Sequence, residues 1–288
     1  MMTSPMALPP FLPPALAQAL GDGQFCVTQH EGVRVVWHTW GATDRPAVVL
    51  LHGGSGSWTH WVRNIAPLRD AGWRVLVPDL PGFGDSDLPP GGTDVPDLPV
   101  HLHAGLQQLA PQGPVQIVGF SFGGMAGALW LAQHPEDAQA LVLVGAPGMG
   151  LTVPDRIALK GWRHLTTPEA QDEVHRHNLM ALMLHKPHSL DALALALHRA
   201  NVARDRMPRR RLSGTPIVAE TLPKIPVRVS AIYGEHDALY TARLSELHKA
   251  LMLGAPHWGQ WHAVPEAGHW VMYEAADRFD AALLQTLG

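Results

Sequence analysis

Cysteine is nearly absent: Cys26 is the one thiol in 288 residues. No internal disulfide can form, so nothing in the fold requires an oxidising compartment and a reducing one is permitted. Cys26 lies in a predicted edge strand with no catalytic pattern around it and reads as an inert thiol. Charge of one sign is scarce too. Charged residues make up 16% of the chain, and the formal net charge is -4 with histidine neutral. That bias is too small to gather nucleic acid or an anionic membrane surface. No apolar run is long enough to span a bilayer. The opening residues, MMTSPMALPPFLPPALAQALG, lack the positive start of a secretion signal, and Pro5, Pro9, Pro10, Pro13 and Pro14 break up their apolar character. Residues 1–23 read as an N-terminal arm. Cytoplasm is the compartment left by elimination.

Apolar residues are plentiful, at 46%, and the length suits one large domain with a sizeable insertion. Residues 24–29 and 33–40 read as two strands joined at Glu31-Gly32. Further strands follow at Ala47–Leu51, in WRVLVP after Gly72, and at 115–119, 140–145, 227–233 and 257–264. Between them the pattern predicts helices over Trp58–Ala71, Asp97–Leu109, 122–134, 241–253 and Tyr273–Leu287. The strands are apolar on both faces and alternate with helices, which argues for a mostly parallel sheet of about eight strands covered on both sides. Residues 151–224 break the rhythm. They contain no convincing strand and carry NLMALMLH and LDALALALHRANVARDR at helical spacing. The expected organisation is therefore a core over 24–150 and 225–288 with a helical insertion over 151–224.

The stretch VQIVGFSFGGMAGALWLAQHP, Val115 to Pro135, is a strand, a glycine-flanked serine and a helix in succession. G-x-S-x-G in that setting places Ser121 on a sharp turn with its hydroxyl held out above the sheet. A serine hydroxyl is a weak nucleophile and needs a base, and the base needs a third group to fix its tautomer. YGEHD places Asp237 just past a strand, and AGHW places His269 in the loop after the next one. His262 is a poorer candidate base. The oxyanion of a tetrahedral intermediate would need donors. The backbone N–H of Phe122, at a helix start, is one, and Gly54 in HGGSG is the other, with Ser55 beside it as the alternative. His52 reads as a structural hydrogen-bonder under that loop, and Asp79 as a residue that orders its turn. Glu235 and His236 flank the acid and read as solvated. His175, His177, His185 and His188 lack the compact spacing of a zinc site, and no metal or cofactor is expected.

Taken together, LLHGGSGSW, PDLPGFGDSD, GFSFGG, YGEHD and AGHW, in that order, resemble the α/β-hydrolase fold superfamily over about residues 24–287. The resemblance implies that the helical insertion is a cap over Ser121. It implies catalysis by Ser121, His269 and Asp237 through an acyl-enzyme, with Gly54 and Phe122 as the oxyanion hole. Trp162, Leu179, Met180, Met183 and Leu184 would make the cap's underside apolar. Within the superfamily, Trp270 after the histidine, the loop after His52 and a cap arginine resemble the hydrolases that cleave carbon–carbon bonds in ring-fission products of aromatic catabolism. Arg199 is the arginine matched by position, with Arg204 and Arg206 as rivals. That subfamily usually has Asn before the nucleophile, where this chain has Phe120. The first expectation is thus a carboxylic ester hydrolase acting on a small apolar or aromatic substrate. The alternatives are carbon–carbon hydrolysis and, from another class, a ligand-binding protein of this fold that does no chemistry. Ser121 in place of Asp argues against halide-releasing enzymes and epoxide hydrolases. The partner is a small molecule, and monomer and homodimer both remain open.

Overall fold

The computed structural model describes residues 3–109, 111–151 and 157–288. Residues 1–2 of the expected arm and 152–156 of the expected insertion lie outside the described residues. Among the described residues, nine strands are β1 (Ser4–Pro5), β2 (Gln24–His30), β3 (Val33–Trp40), β4 (Ala47–Leu51), β5 (Arg74–Pro78), β6 (Val115–Phe120), β7 (Ala138–Val144), β8 (Arg228–Gly234) and β9 (Trp258–Val264). The helices are α1 (Pro14–Ala19), α2 (Ile65–Asp70), α3 (Pro99–Leu109), α4 (Phe122–Gln133), α5 (Pro168–Asn178), α6 (Ala192–Ala203), α7 (Ile217–Thr221), α8 (Leu244–Gly254), α9 (Val271–Glu274) and α10 (Ala276–Leu287).

All nine strands form one sheet in the order β1-β2-β3-β5-β4-β6-β7-β8-β9. The first three pairings are antiparallel and the remaining five parallel. The two-residue β1 is the addition to the eight strands expected. Side chains of a strand alternate between faces, and the core divides accordingly. Val49, Leu51, Ile117 and Leu141 pack with α3, α4 and α8 on one side. Val48, Leu50, Val118 and Val142 pack with α2 and α10 on the other. Between Phe122 and Leu131, α4 is buried all round, consistent with a helix that is apolar on every face.

Two helices expected as continuous are broken. The stretch 58–71 is a 3₁₀ turn at Trp58–Trp61 followed by α2. At the break, buried Asn64 donates its side-chain N–H groups to the Met272 carbonyl at 3.0 Å and to Asp280 at 2.8 Å. Those tertiary bonds pin the chain where local pattern alone would continue the helix. Near the C-terminus, Ala275 leaves helical geometry (φ -131°, ψ 48°) and separates α9 from α10. Between β7 and β8, the described residues form α5, a π-helical turn at Leu179–Met183, α6, α7 and short 3₁₀ turns, with no strand. None of the described helices is long and apolar enough to cross a membrane.

Candidate active site

Where β6 gives way to α4, Ser121 adopts φ 50° and ψ -116°. A non-glycine residue pays for such a backbone and holds it only when its surroundings fix it. Here they do: Ser121 donates its N–H to the Val144 carbonyl at 2.8 Å, and its own carbonyl accepts from Gly124 at 2.9 Å. A side chain at Gly123 would run into the carbonyls of Leu51 and His52, so the turn can approach the end of β4 this closely only with glycine there.

Asp237 follows β8 and His269 follows β9, and parallel pairing of the two strands brings them together. His269 Nδ1 meets Asp237 Oδ2 at 2.9 Å, with side chains 1% and 0% exposed. The second carboxylate oxygen accepts the Leu239 N–H at 2.9 Å. A ring nitrogen facing a carboxylate carries the proton, which leaves Nε2 of a neutral His269 as an acceptor. Ser121 and His269 both line one cavity of ≈ 750 Å³. Its remaining wall is mostly apolar, with Phe120, Met149, Leu159, Leu182 and Met183. The volume is in the usual range for small-molecule sites. An open cleft of ≈ 610 Å³ elsewhere, around Asp85, Asp87 and Arg206, contains none of these residues.

Gly54, Ser55 and Phe122 also face the cavity. The loop beneath them is braced by two buried histidines. His52 donates from Nδ1 to the Gly53 carbonyl at 2.8 Å and accepts the Leu80 N–H on Nε2 at 2.9 Å. Burial lowers its pKa to about 4, so it is neutral near pH 7. His60 Nδ1 accepts the Gly53 N–H at 3.2 Å, and burial puts its pKa well below the ordinary imidazole value. Asp79 accepts the N–H groups of Trp58 and Asp85 at 2.8 and 2.9 Å. Burial alone would raise its pKa, but His38, His52 and the Asp85 N–H bring it down to about 2.

Several residues expected at the substrate lie elsewhere. Arg199 is on the outer side of α6, exposed and paired with Asp172 at 3.1 Å. Of its rivals, Arg204 pairs with Asp85 at 3.0 Å, and Arg206 donates to the backbone carbonyls of Phe83, Gly84 and Ser86. None of the three lines the cavity. Trp162 packs on His175 and under the Arg163 guanidinium instead. Trp270, the residue after His269, is buried, its indole N–H donating to the His60 carbonyl at 3.0 Å. Met183 and Phe120 do face the cavity, and the Phe120 ring lies 5.0 Å from the His269 ring, centroid to centroid. His262 bonds Gln260 at 3.0 Å on β9, away from the cavity. Cys26 is buried, and burial pushes its thiol pKa up.

Among the described residues, the arginine that lines the cavity is Arg210, which the sequence reading did not single out. It sits over the rings of Phe83 and Phe122 and donates to Ser55 Oγ at 3.1 Å. Asp205 pairs with it at 3.0 Å. Burial would raise the pKa of Asp205, but the Arg210 hydrogen bonds and charge, with Ser55, keep it below the ordinary value. RDRMPRRR has no periodicity that would have told Arg210 from its neighbours. His60 was not singled out either, since its bond to the Gly53 N–H appears only in the folded loop.

The chain belongs to the α/β-hydrolase fold family, which it matches over residues 46–276. It is a hydrolase. Among curated relatives, it is similar to the 2-hydroxy-6-oxo-6-phenylhexa-2,4-dienoate hydrolase of Burkholderia cepacia, with 29% identity over 265 residues covering 87% of this chain and 90% of that one. It is also similar to the 2-hydroxy-6-oxononadienedioate/2-hydroxy-6-oxononatrienedioate hydrolase of Comamonas testosteroni, with 30% identity over 263 residues and the same two coverages, 87% and 90%. Among solved structures, an esterase from Rhodococcus sp. ECU1013 shares the fold with a TM-score of 0.70 at 22% identity, covering 93% of this chain and all of that one.

Proposed function

We propose that this hydrolase acts through Ser121, His269 and Asp237 on a carboxylic ester with a small apolar or aromatic acyl group. The observation that carries the reading is the strained Ser121 turn opening on the same apolar cavity as a His269 whose Nδ1 is held by buried Asp237. In the proposed cycle, Ser121 Oγ attacks the ester carbonyl while His269 Nε2 takes its proton. Asp237 fixes the tautomer and stabilises the imidazolium. The backbone N–H groups of Phe122 and Gly54 would receive the developing oxyanion, with the start of α4 adding its dipole. His269 then protonates the departing alkoxide. Water, deprotonated by His269, attacks the acyl-enzyme and restores Ser121. The helical segment between β7 and β8 serves as the cap, supplying Leu159, Leu182 and Met183 to the roof. Phe120 beside the nucleophile and the pairing of Arg210 with Asp205 suit an uncharged substrate.

A second reading, carbon–carbon hydrolysis of a dienol-keto acid, is favoured by the two curated relatives and by Arg210 in the cavity wall. The test assays wild type and Arg210→Ala on a neutral aryl ester and on a dienol-keto acid. The ester reading expects turnover of the ester and little of the acid. Selective loss on the acid, about ten- to a hundred-fold, would establish the second reading, because a bidentate arginine–carboxylate contact contributes about 1.5–3 kcal/mol. Absence of turnover of either substrate would contradict both.

A further inference from the structure

Glu274 ends α9, and its carboxylate gathers three backbone N–H groups, one from the nearby Gly268 and two from the distant residues 185–186. Oε2 accepts from Gly268 at 2.6 Å. Oε1 accepts from Lys186 at 2.7 Å, and the two oxygens share the His185 N–H at 3.1 and 3.0 Å. One carboxylate thus holds both the residue before His269 and the residues just past the π-helical turn. The residue after His269 is tied to the same place, since Trp270 donates its N–H to the Met183 carbonyl at 2.7 Å. Contact is so close that a Cβ at Gly268 would stand 2.7 Å from the His185 nitrogen. Met183, at the end of the turn, and His269 both face the substrate cavity.

We infer that Glu274 is a positioning residue for His269: it locks the cavity-lining turn at 179–186 to the loop carrying the base, so His269 is aligned only while that turn is docked. The inference rests on the serine-hydrolase reading above. A carboxylate suits the task because both oxygens accept and neither donates, and bonds to it are charge-assisted. Glutamine has the same shape but would turn an N–H₂ group toward at least one of these donors. Misplacement of a catalytic group by about 1 Å can cost about 10²-fold in rate.

The experiment compares wild type and Glu274→Gln in the rate and final extent of labelling by a fluorophosphonate probe, and in kcat and KM on an aryl ester. Glu274→Gln is expected to slow labelling and lower kcat by about 10- to 100-fold. The labelled fraction should stay the same and KM should change by less than about threefold. A purely structural role would instead lower the labelled fraction and the melting temperature while leaving the rate per folded molecule alone, and that result overturns the inference. If Glu274→Gln does not fold, Lys186→Pro removes one donor from the turn at a residue whose φ is -93°. Its reference is Lys186→Ala, which keeps the N–H and loses the same ion pair to Glu266. Slower labelling of the proline variant supports the clamp, and equal rates overturn it. A wild type that resists the probe overturns the reading of Ser121 as nucleophile along with the clamp. Normal labelling of wild type and variants alike overturns the clamp alone.

Discussion

Asp237 and His269 are separated by 32 positions yet meet at 2.9 Å. Asp237→Asn keeps shape and volume but offers an N–H₂ where Nδ1–H needs an acceptor, favouring the wrong tautomer. We expect kcat on an aryl ester to fall by about 10⁴-fold with the fold intact; steady-state kinetics with circular dichroism check this, and a near-silent variant would place the acid elsewhere. The sharp turn at Ser121 and the places of Asp237 and His269 after successive strands were legible because each sits in a short local signature, GFSFGG, YGEHD or AGHW, whose turn chemistry is encoded within a few residues. Arg210 was not. Its place in the wall depends on the irregular path after α6, where Asp94 accepts the N–H groups of Arg211 and Leu212 at 2.6 and 3.1 Å from 117 and 118 residues away. No local pattern encodes such a contact.

Among the elements, α6 shows how a helix face decides what one arginine can do. Its buried positions are Leu193, Ala194, Leu195, Leu197, Asn201 and Val202. Arg199 falls outside that arc, a placement that helical periodicity could have flagged. Arg199→Ala should therefore leave kcat/KM unchanged on neutral and acidic substrates alike. It should cost less than about 1 kcal/mol of stability, as expected for an exposed ion pair. Chemical denaturation and the two-substrate assay check both, and selective loss on the acid would return Arg199 to the site. The strands were legible nearly to the residue because their apolar runs end at glycines and prolines. The stretch 58–71 was not, since Asn64 answers to Met272 and Asp280, more than 200 positions away.

For the whole molecule, buried titrating groups set two opposing pH slopes. Burial lowers the pKa values of His52 and His198 to about 4 from the ordinary 6.5. Their contribution to stability is present above pH 6.5 and is lost as pH falls toward 4, where only the unfolded chain takes up the proton. Asp280 behaves oppositely. Burial, with a smaller push from Asp277 and against the Asn64 hydrogen bond, raises its pKa to about 7 from 3.8. Its contribution is full below pH 3.8 and is lost as pH rises through about 7. Asp280→Asn should therefore gain stability relative to wild type between pH 5 and pH 8, on the order of 2 kcal/mol. Thermal melts at the two pH values check this; an equal difference at both would show that Asp280 does not titrate abnormally. The mostly parallel sheet and the two-sided core were legible from strand–helix alternation, whereas a buried carboxylate on an amphipathic C-terminal helix resembles any surface Asp until α10 is seen against Asn64.

The central claim is that Ser121 is the nucleophile, and site-resolved fluorophosphonate labelling, with turnover of an aryl ester by Ser121→Ala, tests it most directly. The account predicts a single adduct on Ser121, no labelling of the folded Ser121→Ala protein, and turnover lower by about 10⁴- to 10⁶-fold. An adduct on another serine, or a folded Ser121→Ala protein with near-normal turnover, would contradict it.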